Sequence, residues 1–193
     1  MTQIVDGSGD GYGLKVDSSN RAHTKSTTIT ETADRSQGGH GYNLNTGEVA
    51  LTEATASGVA YLKYTGTKKF NISALAVGCG KMGTATDPVL IELIRNPTTG
   101  TVISDATAGD YNQNRDFSSN NTLSANFYKG AEGKTFTDGD VIAIFYQNSS
   151  GRLFAGIDFI LETGSSCGVR ITPNDDGTAG NVYVAFIGYE TEE

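Results

Sequence analysis

From about Tyr42 onward the chain repeats one pattern, apolar and polar residues alternating over short runs, with no segment of convincing helical period. Side chains of an extended strand point to opposite faces in turn, so a period of two predicts half-buried strands whose cores form by packing sheet on sheet. Between Lys69 and Cys79, the residues Phe70, Ile72, Ala74 and Ala76 share one face and Asn71, Ser73, Leu75 and Val77 the other, the first being the better core candidate. Leu153, Ala155, Ile157, Phe159 and Leu161 form a second inner face, and Val182, Val184 and Phe186 a third. Val141 to Tyr146 is apolar on both faces, which predicts a central strand covered from both sides.

Punctuation supplies the remaining elements. Asn45-Thr46-Gly47 separates Tyr42–Leu44 from Glu48–Leu51 as a hairpin or a sharp strand bend. Val59 to Tyr64 reads as a strand, and Pro88 and Pro97 bracket another at Val89 to Arg95. From Asn96 to Asp140 the pattern thins into long polar excursions, crossed by one half-buried strand at Leu123, Ala125 and Phe127. About eight to ten strands predict an all-β fold, a two-sheet antiparallel β-sandwich that is jelly-roll-like. An immunoglobulin-like sandwich fits less well, because the chain has no Trp and lacks the expected Cys spacing.

The first forty residues differ in kind. They run through Gly7, Gly9, Gly11, Gly13, Gly38 and Gly39 among Ser, Thr and scattered charges, too poor in bulky apolar groups to bury a core of their own. The expected organisation is therefore an extended N-terminal arm over residues 1–40 and a β-sandwich body over 41–193. A body of about 150 residues matches one ordinary domain.

The net charge of −8 opposes nucleic acid as a partner, since phosphate binding needs clustered Lys and Arg, and Lys68-Lys69 is the only adjacent basic pair. No run approaches the roughly 20 apolar residues of a membrane helix, and the amino terminus does not read as a secretory signal, so neither a membrane nor a secretory route is expected. Cys79 and Cys167 fall at different predicted strand ends and are expected to be buried free thiols.

Catalytic chemistry finds little support. The two histidines, His23 and His40, lie in the arm, away from any base-and-nucleophile arrangement, and offer no zinc spacing. Asp105, Asp110, Asp116, Glu132, Asp138 and Asp140 share the long loop region, where a glycosidase would need two acids about 5–10 Å apart. Asp138-Gly139-Asp140 and Asn174-Asp175-Asp176-Gly177 suit β-turns better than calcium sites. The expectation is no enzyme, no cofactor and no metal. Tyrosine is the abundant aromatic, nine residues against no tryptophan, and Tyr61, Tyr64 and Tyr146 are candidates for a subunit interface.

The run Asp6 to Thr24, with its Gly-Ser-Gly-Asp-Gly-Tyr-Gly core, followed by Tyr42-Asn43-Leu44-Asn45-Thr46-Gly47 and Tyr61-Leu62-Lys63-Tyr64, resembles structural proteins of tailed bacteriophages. The resemblance is clearest over about the first 80 residues and fades to a shared strand pattern after Cys79. It implies a head decoration (cement) protein that binds the outer surface of the major capsid protein shell, stabilises the head, assembles as a homotrimer and is made in the host bacterial cytoplasm. It also implies a capsid-binding role for the arm, with Tyr12, Leu14 and Val16 as alternating anchors and Lys15, Arg21 and His23 beside them. Forty extended residues reach on the order of 130 Å, enough to cross a neighbouring capsid subunit. A tail fibre, baseplate or carbohydrate-binding (host-receptor) module is the alternative, with the loops from Asn96 to Asp140 touching a host glycan.

Overall fold

The computed structural model describes residues 30–52, 54–80, 88–109, 112–148, 151–173 and 180–191. The arm residues Tyr12, Leu14, Lys15, Val16, Arg21 and His23 lie outside them, as do Asp110 and the Asn174–Gly177 turn. The body is all-β, two antiparallel six-stranded sheets packed face to face. It reaches back to Glu31, because a helix α1 (Glu31–Gln37) inside the segment expected as arm lies beside the first and last strands.

In chain order the strands are β1 (Gly41–Asn45), β2 (Val49–Leu51), β3 (Ser57–Tyr64), β4 (Lys69–Cys79) and β5 (Pro88–Arg95). A one-turn helix α2 (Thr101–Ser104) then precedes β6 (Thr107–Ala108), β7 (Asn112–Asn114) and β8 (Ala125–Lys129). The chain closes with β9 (Asp140–Asn148), β10 (Arg152–Leu161), β11 (Ser166–Thr172) and β12 (Gly180–Thr191). One sheet runs β10-β4-β12-β1-β7, with β2 also on β12; the other runs β6-β8-β3-β11-β5-β9.

The bend at Asn45-Thr46-Gly47 is the strand-bend alternative, since β1 and β2 both pair with β12 and not with each other. Gly47 takes φ +66°, a left-handed conformation that glycine adopts without a Cβ penalty. The fully buried Thr46 replaces a ladder step: its N–H bonds Val184 O, and its hydroxyl oxygen accepts the Val184 N–H at 3.0 Å.

The core fills the space between the sheets with Tyr42, Leu44, Leu62, Tyr64, Phe70, Ile72, Leu75, Ile91, Leu93, Val184 and Phe186, all at most 1% exposed. Phe70 and Ile72 point inward as the alternation predicts, but the phase then reverses: Leu75 and Val77 enter the core, while Ala74, though buried, is outside it and Ala76 is half-buried. A bulge is the cause. Against β12 the register shift at Ile187/Gly188 leaves Ser73 as an extra residue, and one extra residue flips every side chain beyond it; against β10 the shift at Gly156/Phe159 sets Ile157 and Asp158 opposite Ser73.

Two expectations fail on position. Val141–Tyr146 is not central: among the described residues β9 pairs with β5 alone and forms the edge of its sheet. The central place belongs to β11, between β3 and β5, where Gly168 gives a flat spot on the outer face. Phe136 covers that spot, and a Cβ on Gly168 would come within 2.6 Å of its ring. With Val102, Tyr61 and Ile94, Phe136 forms a small second core under the Asn96–Asp140 region. The described residues of that region thus cover the sheet and carry three short strands, where the sequence predicts one half-buried strand among long polar excursions.

Candidate functional site

The acids of the long loop region hold the scaffold together. Asp138 accepts the backbone N–H groups of Thr98 and Thr99, each at 2.9 Å, and also the Thr98 hydroxyl, which holds its carboxyl down to about 2. Asp116 accepts from Ser118, Glu132 from the N–H and hydroxyl of Thr52, Asp140 from Arg95 and Asp105 from Lys134. The Asp138 contacts tie Thr98 and Thr99 to the segment Thr135–Asp140, with Thr99–Thr137 and Thr101–Thr135 hydroxyl contacts beside them. Among the described residues no three His, Cys, Asp or Glu side chains group as metal ligands.

The tyrosines chosen as interface candidates divide. Tyr64 is fully buried; its hydroxyl donates to Glu190 Oε1 at 2.7 Å, and its ring stacks on Phe70 at 5.9 Å. Burial, followed by the Glu190 carboxylate, raises its pKa, and burial with the same carboxylate pushes Tyr42 up to about 12. Tyr61 is 3% exposed and stacks on Tyr128 at 5.7 Å, and burial raises its pKa too. Both Tyr61 and Tyr64 are thus core residues of this chain and present no surface to a subunit. One face of β3 packs on the other sheet, where Tyr64 meets Phe70, and the opposite face lies under the Asn96–Asp140 cover, where Tyr61 meets Phe136, so both faces are covered.

Tyr146 is the exception. It stands 71% exposed on β9, and it has company. Of the seven large apolar side chains exposed among the described residues, six lie on the two successive strands β9 and β10: Val141, Ile142, Ile144, Tyr146, Phe154 and Ile160. Each strand is the last of its sheet on the same flank, and Ile142 and Ile160 face one groove of about 120 Å³ with Phe159 and Leu161. Along this flank the core itself reaches the surface, for Ala143, Phe145, Leu153, Ala155 and Phe159 pack against it yet stay only half-buried. Sequence reading missed Ile142, Ile144, Phe154 and Ile160. The signal for Ile142 and Ile144 is the two-faced apolar run of β9, which reads as a strand covered on one side by the second sheet and on the other by a neighbour or a loop.

A second, polar groove of about 190 Å³ lies over β3 and β8, where Lys63, Asn126 and Thr98 surround the Tyr61–Tyr128 stack. Cys79 and Cys167 are buried free thiols, and burial pushes the Cys79 thiol up to about 11 and raises Cys167 as well. No protein-family model matches the chain, and no curated protein matches it either.

Proposed function

We propose that this chain is a non-enzymatic structural protein of a tailed-bacteriophage virion, a head decoration protein whose trimeric body sits on the outer surface of the capsid shell while the N-terminal arm binds the major capsid protein. The observation that carries this reading is the concentration of exposed apolar side chains on one flank of an otherwise closed β-sandwich, the surface of a subunit made to be covered. The resemblance of residues 6–24 to phage structural proteins supplies the particle. Loop acids bound into the scaffold support a role without catalysis.

Strand pairing supports a jelly roll. Setting aside β2 and the short β6, β7 and β8, the first strand pairs with the last (β1 with β12), and the nested pairs follow as β3 with β11, β4 with β10 and β5 with β9. An antiparallel ribbon of eight strands folded over itself produces that order.

The test is co-sedimentation with empty phage heads. The full chain is expected to pellet with the shells, and a chain lacking residues 1–29 to stay folded in the supernatant; undiminished binding by the shortened chain rejects the arm's role. A host-glycan-binding module is the second reading, favoured by the polar groove with its tyrosine stack. Glycan-array binding that Tyr128→Ala and Asn126→Ala abolish, without affinity for capsids, would replace the first reading.

A further inference from the structure

We infer that the flank formed by β9 and β10 is an interface between copies of this chain. The inference rests on the self-assembly part of the reading above and not on the identity of the particle. Three observations converge on a second copy as the occupant.

Area comes first. The six outward side chains are 39% to 71% exposed. At roughly 150–250 Å² for large side chains, they present on the order of 600 Å² of apolar surface. That area is divided, since Ile144 and Tyr146 stand on the outer face of β9 and Phe154 and Ile160 on that of β10, with the half-buried Phe145, Leu153 and Phe159 packed on the core between them. Taken together they approach the ~800 Å² per partner of a standard interface.

Backbone comes second. Among the described residues β9 pairs only with β5, and β10 only with β4, so within them each presents an unpaired edge. Soluble proteins usually guard such edges with charge, proline or bulges. From Val141 to Gly151 there is no charged residue and no proline. Bulges do occur, at Leu93/Ile94 against β9 and at Gly156/Phe159 in β10, but they leave Ala143–Asn148 and Arg152–Gly156 regular. An edge left unguarded over those lengths suits a partner that is always present.

Charge comes third. With a net charge of −8, two copies repel at long range, so a contact between them needs a surface whose burial strips water from no ion. This flank comes close to that condition: Val141 to Gly151 carries no charge, Asp140 at the start of β9 is paired with Arg95, and β10 has two charges, Arg152 and Asp158. A basic partner would find little here to pair with. A second copy brings a face of the same uncharged, β-branched and aromatic chemistry, and closed symmetry of order two or three covers every flank.

The experiment is sedimentation velocity of the full chain at about 1–100 µM, with and without the double substitution Ile144→Lys/Phe154→Lys. Both positions are exposed, so the substituted chain should keep the wild-type circular dichroism and thermal melt. Wild type is expected as a dimer or trimer, and the double variant as a 20.3 kDa monomer, self-association weakened at least ~100-fold by two lysines in an apolar contact. Phe117→Ser, at the fully exposed side chain outside the flank, should leave the assembly intact. A wild type that stays monomeric at every concentration, an assembly indifferent to the two lysines, or one that Phe117→Ser dissolves would each overturn the inference. A monomeric wild type whose binding to phage heads the two lysines abolish would give the flank to the capsid protein instead. Failure of capsid binding alone, with self-association as expected, would remove the virion reading and leave this one standing.

Discussion

The two flanks of the sandwich are built from the same kind of strand and finished in opposite ways. On one, β7 extends the first sheet beyond β1, while β8 and β6 extend the second beyond β3, and α1 lies beside β1 and β12. Phe127 of β8 meets Phe186 of β12 edge-on at 6.2 Å, so the long central region contributes directly to the core. On the other flank β9 and β10 end their sheets uncovered, and apolar side chains stand in water. Among the described residues more than forty are spent on covering one edge and none on the other, which fits a use for the second edge. The difference separates stability, carried by the covered side, from association, assigned to the bare one.

The comparison breaks first where the effects are largest. Phe186→Ala, at a fully buried position touching both the core and the covered flank, should lower unfolding free energy by about 3–5 kcal/mol in denaturant titration. A loss below ~1 kcal/mol would mean that the covered flank contributes little. Gly168→Ala pushes a methyl into the Phe136 ring and should cost about 1–3 kcal/mol by lifting the loop cover, visible as faster amide exchange at Thr135–Thr137. Tyr64→Phe removes one of the two tyrosine hydroxyls, with that of Tyr42, that hydrogen-bond the buried Glu190 carboxylate, at a cost of about 1–3 kcal/mol.

Alkaline pH sharpens the same buried cluster. Because the folded Tyr42 pKa lies above its ordinary value of 10.0, the stability it contributes is fully present below pH 10 and lost as pH rises through about 12. Tyr42→Phe should remove that part of the alkaline transition, followed by fluorescence or circular dichroism; an unchanged transition would show that other tyrosines set it. The smallest effect belongs to the bare flank. Ile144→Ala in dilute, dissociated protein should change stability by no more than about 0.5 kcal/mol, because that side chain is 55% exposed within its own chain.

Most of the framework was legible in the sequence, and the errors share a physical cause. Strands β3, β4, β5, β10 and β12 follow from alternation and proline placement because side-chain direction is a local property of an extended backbone. Position within a sheet is not local. Val141–Tyr146 reads as central because apolar residues on both faces imply cover on both, yet the strand is an edge whose second face is open in this chain. Ser166–Thr172 reads weakly because Gly168 contributes no apolar side chain, although Phe136, thirty-two residues earlier, covers that point. Tyr61 and Tyr64 failed as interface candidates for the same reason, since tyrosine suits a core with a Glu190 inside it as well as a surface. Of that trio only Tyr146 lies on the candidate flank.

The buried thiols provide the most direct test of that flank. Cys79 and Cys167 are shielded, and the raised Cys79 pKa keeps its thiol protonated near neutrality, so a cysteine introduced at the surface should dominate labelling by a bulky maleimide. In Ile144→Cys at tens of micromolar the new thiol should react slowly, and its rate should rise at least tenfold on dilution to dissociated chains. Phe117→Cys should react fast at every concentration. An Ile144→Cys rate that matches Phe117→Cys and ignores dilution would contradict an interface on β9 and β10.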